Sequence, residues 1–423
     1  MSVLLLPRAL RHKAATGLAL LLLSNGSPAE SLNLSKAIEK TLATHPTLNV
    51  FSLRQQNLRA HGQAKQLPPG YALDVETENF SGSNSYSGFD NADITVSLSS
   101  TLELGGKRQA RSDLSKAAIA SLNTERELQA LSLLSEVTRR YVDALAAQQR
   151  IELASASVKL AETTHSQVQK RARAGATPRA EVKRAEATLA QTKLILSSEQ
   201  SAANNAQNNL SALWGEFELM DKLQGNLFQF GQDRPFDDLY QQLQSNPALE
   251  LFTQRSRVKA AELSLSQSEN RFDLDWSVGM RRFQGSDDTA LVASISLPLF
   301  NHRRNRGSVA AARAEVEQIQ AEQDVALLQL RNQLQRAYNN RQQAIHTTEQ
   351  LQQQIIPALQ EAAVETRKAY ERGRYSYRDY SSANQELVVS QRRAIDAAAA
   401  ALRYGADIEQ LTGQSLAAPT LQD

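Results

Sequence analysis

The chain has six histidines, His12, His45, His61, His165, His302 and His346, and none stands four residues from another, the spacing that would set two imidazoles on one helix face. There is no cysteine, which removes thiolate metal sites, disulfides, a cysteine nucleophile and a lipid-bearing cysteine. No glycine-rich phosphate loop and no Gly-x-Ser-x-Gly turn is present. Carboxylates are plentiful, but their spacing is that of element surfaces rather than of a pocket. These residues predict no metal site, no cofactor and no enzyme. Asp74, Glu76 and Glu78 instead recur at every second position, and so do Asp273 and Asp275. Such alternation sets them in rows on one side of extended segments, where they suit a surface that lines water.

Four stretches carry that period of two. In 71–80, Tyr71, Leu73, Val75 and Thr77 oppose Asp74, Glu76 and Glu78. In 93–104, Ile94, Val96, Leu98, Leu102 and Leu104 oppose Thr95, Ser97, Ser99, Thr101 and Glu103. Further on, Phe272, Leu274, Trp276, Val278 and Met280 oppose Asp273, Asp275, Ser277 and Arg281, and Leu291, Ala293, Ile295, Leu297 and Leu299 oppose Ser294 and Ser296. Each run is about 9–12 residues, enough to cross a bilayer as a tilted strand. A half-buried antiparallel sheet in a soluble domain gives the same alternation. The carboxylates on the polar face and the Gly/Ser/Asn/Asp-rich connections at 81–90 and 284–289 favour a transmembrane barrel. Four strands cannot close one, since closed barrels need about eight, so the barrel must be shared between chains.

Long helical runs position these strands. Residues 106–170 have no interior proline or glycine and space Leu131, Leu134, Val137, Tyr141 and Leu145 at helical intervals, predicting one rod of about 100 Å. Gly175 and Pro178 end it, and 180–214 returns beside it. A second long helix is predicted over 309–371, broken at Gly373, with a return over 377–411. The sequence aligns with itself at an offset of about 200. His45-Pro46 falls over Asn246-Pro247, Leu73-Asp74 over Leu274-Asp275, Lys107-Arg108 over His302-Arg303, and Gly175 and Glu181 over Gly373 and Asp379. The reading is an internal two-fold repeat: 30–214 and 246–412 as the two copies, 215–245 as a linker and 413–423 as a C-terminal tail.

At 423 residues the chain is long enough for about three domains or one elongated one. Its 41% hydrophobic and 5% aromatic content favours a thin, surface-rich architecture over one thick core. A net charge of +2 gives no field for nucleic acid. Arg8, Arg11 and Lys13, the apolar run 14–23 and the small residues of Ser27-Pro28-Ala29 predict a cleaved export signal over 1–29. No later run is long and apolar enough for a transmembrane helix, so insertion in a membrane would be by β-barrel.

The motifs Ser296-Leu297-Pro298-Leu299-Phe300-Asn301, followed by Arg303, Arg304 and Arg306, and Leu102-Glu103-Leu104-Gly105-Gly106-Lys107-Arg108 resemble the strand-to-helix signatures of the TolC-like outer-membrane efflux channels. With the duplication and the order of elements, the resemblance covers nearly all of the mature chain. The Gly-Gly-Lys-Arg form is similar to the cobalt–zinc–cadmium branch. The fold class it implies is mainly α with a four-strand β contribution: a homotrimer whose barrel continues into the periplasm as a tube of long helical hairpins, with 215–247 as an equatorial belt. The implied role is the passive outer-membrane duct of a tripartite efflux system, opened when a periplasmic adaptor and an inner-membrane RND pump dock. A protein-secretion channel on the same scaffold, or a soluble periplasmic coiled-coil scaffold, are the alternatives.

The resemblance also assigns roles. Tyr370 and Glu181 match a Tyr and an acid that tie neighbouring helices at the periplasmic gate, Asp379 matches an acidic ring, and Ser382 replaces a second acid. Arg173, Gly175, Arg372, Gly373 and Arg374 look like adaptor-docking tips. Asp74, Glu76, Glu78, Asp273 and Asp275 would line the barrel lumen. The same glycines also suit helix C-caps, and Glu181 and Asp379 also suit helix N-termini, so both readings stand at this point.

Overall fold

The computed structural model describes residues 32–216, 222–298 and 302–416. The export signal, Leu299 to Asn301 of the strand-to-helix motif and the last seven residues of the tail lie outside them, as do the side chains of Arg303 and Arg304. In chain order the elements are α1 (Leu34–Thr44), α2 (Pro46–Gln66), β1 (Ala72–Glu78), β2 (Asp93–Leu102), α3 (Lys107–Arg173), α4 (Arg179–Ser211), α5 (Phe236–Leu243), α6 (Pro247–Glu269), β3 (Leu274–Phe283), β4 (Asp288–Ser296), α7 (His302–Gln350), α8 (Ile356–Glu371) and α9 (Tyr377–Thr412).

The long helices form where helix breakers are absent. α3 runs 67 residues without a break, about 100 Å, with α4 packed along one part of it and α2 and α6 along the rest. Both α2 and α6 open on a proline at their first position, where a missing N–H costs nothing. The residue before each caps the first turn, His45 through Nδ1 to the Thr47 N–H and Asn246 through Oδ1 to the Ala248 N–H.

The second rod departs from expectation. Instead of one helix over 309–371, α7 and α8 are joined by a π-helical turn at Leu351–Ile355, directly before Pro357. Proline carries no N–H and its ring clashes with the carbonyl four residues back. The wider turn opens the helix where that carbonyl would otherwise be crowded.

Buried apolar residues form seams rather than one core. At mid-length, Val137, Tyr141 and Leu145 of α3 meet Leu210 and Trp214 at the end of α4, Leu223 and Leu227 of the linker, and Ile395 and Ala398 of α9. The Tyr141 hydroxyl donates to the Leu32 and Gln224 carbonyls, and burial pushes its pKa up to about 12. A second seam joins Leu239 and Leu243 of α5 to Leu334 of α7 and Ile408 of α9. Nearby, Arg341 is buried, donating to the Phe230 carbonyl at 2.6 Å and pairing with Asp233 at 3.3 Å. Burial holds its guanidinium below its usual pKa, with Asp233 opposing. These contacts hold the linker to the rods, together with the Leu223 N–H donating to Gln148 Oε1 at 3.0 Å and the Lys222–Glu152 pair at 2.9 Å.

The four strands make one antiparallel sheet in the order β1-β2-β3-β4. They are shorter or shifted relative to the sequence reading: β1 has seven residues, β2 stops at Leu102, and β3 and β4 begin and end later or earlier than 272–281 and 291–299. At the strand-to-helix junction Gly105 has φ +78°, and a Cβ there would stand 2.4 Å from the Arg271 side chain. Lys107 pairs with Asp273 at 2.6 Å, tying the two halves together. Arg108 and Arg111 donate to the Gln66 and Lys65 carbonyls, the orphan acceptors at the end of α2. The Gly-Gly-Lys-Arg motif is therefore the corner at which the sheet meets the long helices.

Candidate functional site

Two regions hold the predicted residues: the sheet, and the far tip of the helical hairpins. The register fixes the faces of the sheet. Asp74 lies across from Ser97, Ser97 from Gly279 and Gly279 from Val292, while one residue along, Val75, Val96, Met280 and Leu291 form a row on the opposite face. The polar face carries Asp74, Glu76, Glu78, Asp93, Asp275 and Asp288, with Arg281 as its cation. Neighbouring hydroxyls fix several of them: Ser99 Oγ donates to Asp74 at 2.6 Å and Thr101 Oγ1 to Asp275 at 2.5 Å. Arg281 pairs with Glu78 at 2.8 Å and donates to Thr95 Oγ1 at 2.8 Å.

Asp273 departs from the predicted lumen row. β3 begins one residue later, and Asp273 turns to the corner, accepting from the Leu104 N–H and from Lys107. The strand periodicity does not reach it because the junction needs an anion beside Lys107.

Among the described residues, the apolar face stands largely uncovered. Leu73 is 71% exposed, Ile295 69% and Leu291 81%. This is contrary to a soluble scaffold whose sheets pack on themselves. Aromatic pairs mark both ends of the sheet, Tyr71 against Trp276 near the helices and Phe80 against Phe89 at the loop end. β1 and β4 each pair on one side only, which leaves two edges of unpaired N–H and C=O groups. Among the described residues, no helix is long and apolar enough to cross a membrane.

At the tip, α3 and α8 end in turns with the same hydrogen bonds. Gly175 and Gly373 have φ +75° and +74°. Gly175 N–H donates to Ala172 and Ala176 N–H to Arg171, and Gly373 N–H donates to Tyr370 and Arg374 N–H to Ala369. Both glycines thus serve as the left-handed residue that stops a helix. Arg173, Arg372 and Arg374 are exposed around them.

Tyr370 is 3% exposed and packs with Val168, Ala185, Tyr377 and Tyr380. Its ring stacks on Tyr380, centroids 5.5 Å apart and planes 7° from parallel. Its hydroxyl is buried without a hydrogen bond of good geometry. Burial pushes that hydroxyl above its usual pKa, with Arg171 opposing and the Glu181 carboxylate reinforcing. The tyrosine and Glu181 are therefore close enough to sense one another, yet no bond between them is made within one chain. Asp379 is an N-cap partner: Ser376 Oγ donates to its carboxylate at 2.7 Å and the Ser376 N–H at 3.1 Å, while Asp379 N–H donates back to Ser376 Oγ. Those bonds hold the carboxyl below its usual pKa. It stays exposed, so capping and lining a constriction are compatible uses of one group.

The residue that sequence reasoning missed is Arg171. Its guanidinium lies over the Tyr370 ring at 4.8 Å and Nη1 donates to the Tyr370 and Glu371 carbonyls at 2.9 and 3.1 Å. Lys170, Arg171 and Arg173 all stand in the last turn of α3, where any basic residue favours the helix dipole, so nothing in the sequence singles out the one that reaches across. Beside this cluster lies a cavity of about 290 Å³ between α3, α4 and α9, with Thr164, Thr188, Tyr377 and Tyr380 in its wall.

The profile of the family described as outer membrane efflux protein matches residues 37–216 and 239–414. The chain is similar to the cobalt-zinc-cadmium resistance protein CzcC of Cupriavidus metallidurans, 23% identical over 329 residues, or 76% of this chain and 77% of the relative. It is similar to the nickel-cobalt-cadmium resistance protein NccC of Alcaligenes xylosoxydans xylosoxydans, 27% identical over 338 residues, 76% and 74% of the two chains. The outer membrane protein VceC of Vibrio cholerae shares the fold, with a TM-score of 0.73 at 18% identity, covering 90% of this chain and 96% of that one.

Proposed function

The chain belongs to the outer membrane efflux protein family, an outer-membrane channel that reaches into the periplasm, and from that premise we propose that three copies close one barrel and one helical tube. The observation that carries this reading is the sheet with a bare apolar face and two unpaired edges. A lone four-stranded sheet would leave both in water, whereas a ring of chains pairs every edge and hands the apolar face to lipid. Strands of ten residues are about 33 Å long and at a tilt near 40° span roughly the 25 Å apolar band of an outer-membrane barrel. The aromatic pairs at both ends then meet the two membrane interfaces.

The helical layer supports the same closure. Near the sheet the order of packing is α2, α3, α6, α7, and toward the tip α4, α3, α9, α8. The outermost helices on one side carry exposed Val50 and Leu53 of α2 and Leu194 of α4, and those on the other carry exposed Leu328 of α7 and Val364 of α8. Two different apolar sides on one chain fit a head-to-tail ring. In this reading 30–214 and 246–412 are two copies of one unit joined by the belt segment 215–245. The matching turns at the tips and the matching proline starts of α2 and α6 support it.

Transport is passive, and the duct serves a tripartite system in which an adaptor and an RND pump dock at the tips around Arg173, Gly175, Arg372, Gly373 and Arg374. The cargo is divalent transition-metal cations, the class in the names of CzcC and NccC; the carboxylate rows of the polar face are suited to it. Glu181, Tyr370 and Asp379 belong to the closed tip. A strain lacking the chain should lose tolerance to cobalt, zinc, cadmium or nickel severalfold, and regain it on complementation. Unchanged tolerance to all four overturns the metal cargo.

A further inference from the structure

We propose that Arg171 is the positioning residue that clamps the α8–α9 hairpin to the α3–α4 hairpin and so keeps the tip shut. This rests on the channel reading above. Tyr370 is held from two sides, by the Arg171 guanidinium at 4.8 Å and by the Tyr380 ring at 5.5 Å. The same guanidinium bonds the Tyr370 and Glu371 carbonyls, orphan acceptors at the end of α8. A Cβ built on Gly373 would lie 3.8 Å from Arg171 Nη2, so the tip turn closes over the clamp. One side chain of the first hairpin thus terminates a helix of the second.

Two further observations mark this contact as one that opens. Arg171 Nε is buried without a hydrogen-bond partner, and the Tyr370 hydroxyl is buried with Thr177 beside it but without a hydrogen bond of good geometry. Separating the hairpins gives both groups water, which offsets part of the clamp's hold. Only one of the two rods carries a place to bend: the π-helical turn at Leu351–Ile355 lies above α8, while α3 is unbroken. Nor is the clamp reciprocal, because Ala369 occupies in the second tip the place that Arg171 holds in the first. The α8 side can swing, and the α3 side holds the catch.

The test uses the full-length protein in detergent and in planar bilayers. Arg171→Gln keeps the stem but loses the planar charge, and should raise the probability of the open state about tenfold. Arg171→Lys, with charge but no fork or flat face, should fall between it and the parent. Because the chain has no cysteine, spin labels at Ala174→Cys and Arg372→Cys report the tip directly, and Arg171→Gln should shift their distances outward. A parent-like conductance together with unchanged label distances in Arg171→Gln overturns the clamp and leaves the channel reading standing. If the parent forms no channel, that reading fails, and the label distances still decide the clamp: outward movement supports it and none overturns it.

Discussion

Leu291→Arg should abolish assembly in the outer membrane, while Val292→Arg, one residue further, should be tolerated. Leu291 stands in the middle of the apolar row with Met280, Val96 and Val75, and is 81% exposed in the single chain. An arginine on the lipid side of a barrel near the bilayer centre costs about 2–4 kcal/mol, and a three-fold ring carries it three times. Val292 points to the polar face, across from Gly279, where water solvates a new guanidinium. Outer-membrane fractions and heat-modifiable trimers on gels read the difference. Equal loss in both variants would mean that the two faces of the sheet do not differ in solvent.

The second large effect concerns ion preference. On the polar face six carboxylates stand against the one guanidinium of Arg281, and a closed ring repeats that excess around a narrow lumen walled by low-dielectric lipid. Reversal potentials in a salt gradient should show potassium favoured over chloride by about tenfold at 0.1 M salt, where the screening length is about 10 Å. Asp74→Asn, Glu76→Gln and Asp275→Asn together should bring the ratio to within about twofold of unity. Raising the salt to 1 M should do much the same to the parent, because the screening length falls to about 3 Å. An anion preference in the parent would contradict the assignment of this face to the lumen.

Local sequence made much of this architecture legible. The period of two in 71–80 and 93–104 became paired strands because each alternate residue had to choose between water and an apolar medium. The unbroken run after Gly106 became α3 because nothing in it interrupts helical hydrogen bonding. What could not be read depends on partners far apart in the chain. Asp273 continues the alternation in sequence, yet Lys107 draws it into the corner. The π-helical turn follows from Pro357, whose clash is relieved by widening rather than by ending the rod. At the tip, the resemblance points to Tyr370 and Glu181, whereas Arg171 becomes distinct from Lys170 and Arg173 only when α8 lies beneath it. Asp379 shows the converse: a helix-start carboxylate anticipated from position alone acts as one.

The most direct measurement is disulfide trapping between sheet edges. The natural chain has no cysteine, so one cysteine placed on β1 at Asp74 and a series along β4 from Ala290 to Ser294 give an unambiguous readout. Oxidation in native membranes should yield covalent dimers and trimers on denaturing gels, with one best-matched position in β4. Pairs that form only within a single chain, or no crosslinks anywhere along β4, would mean that the strands do not join copies into one barrel, and the channel would have no wall.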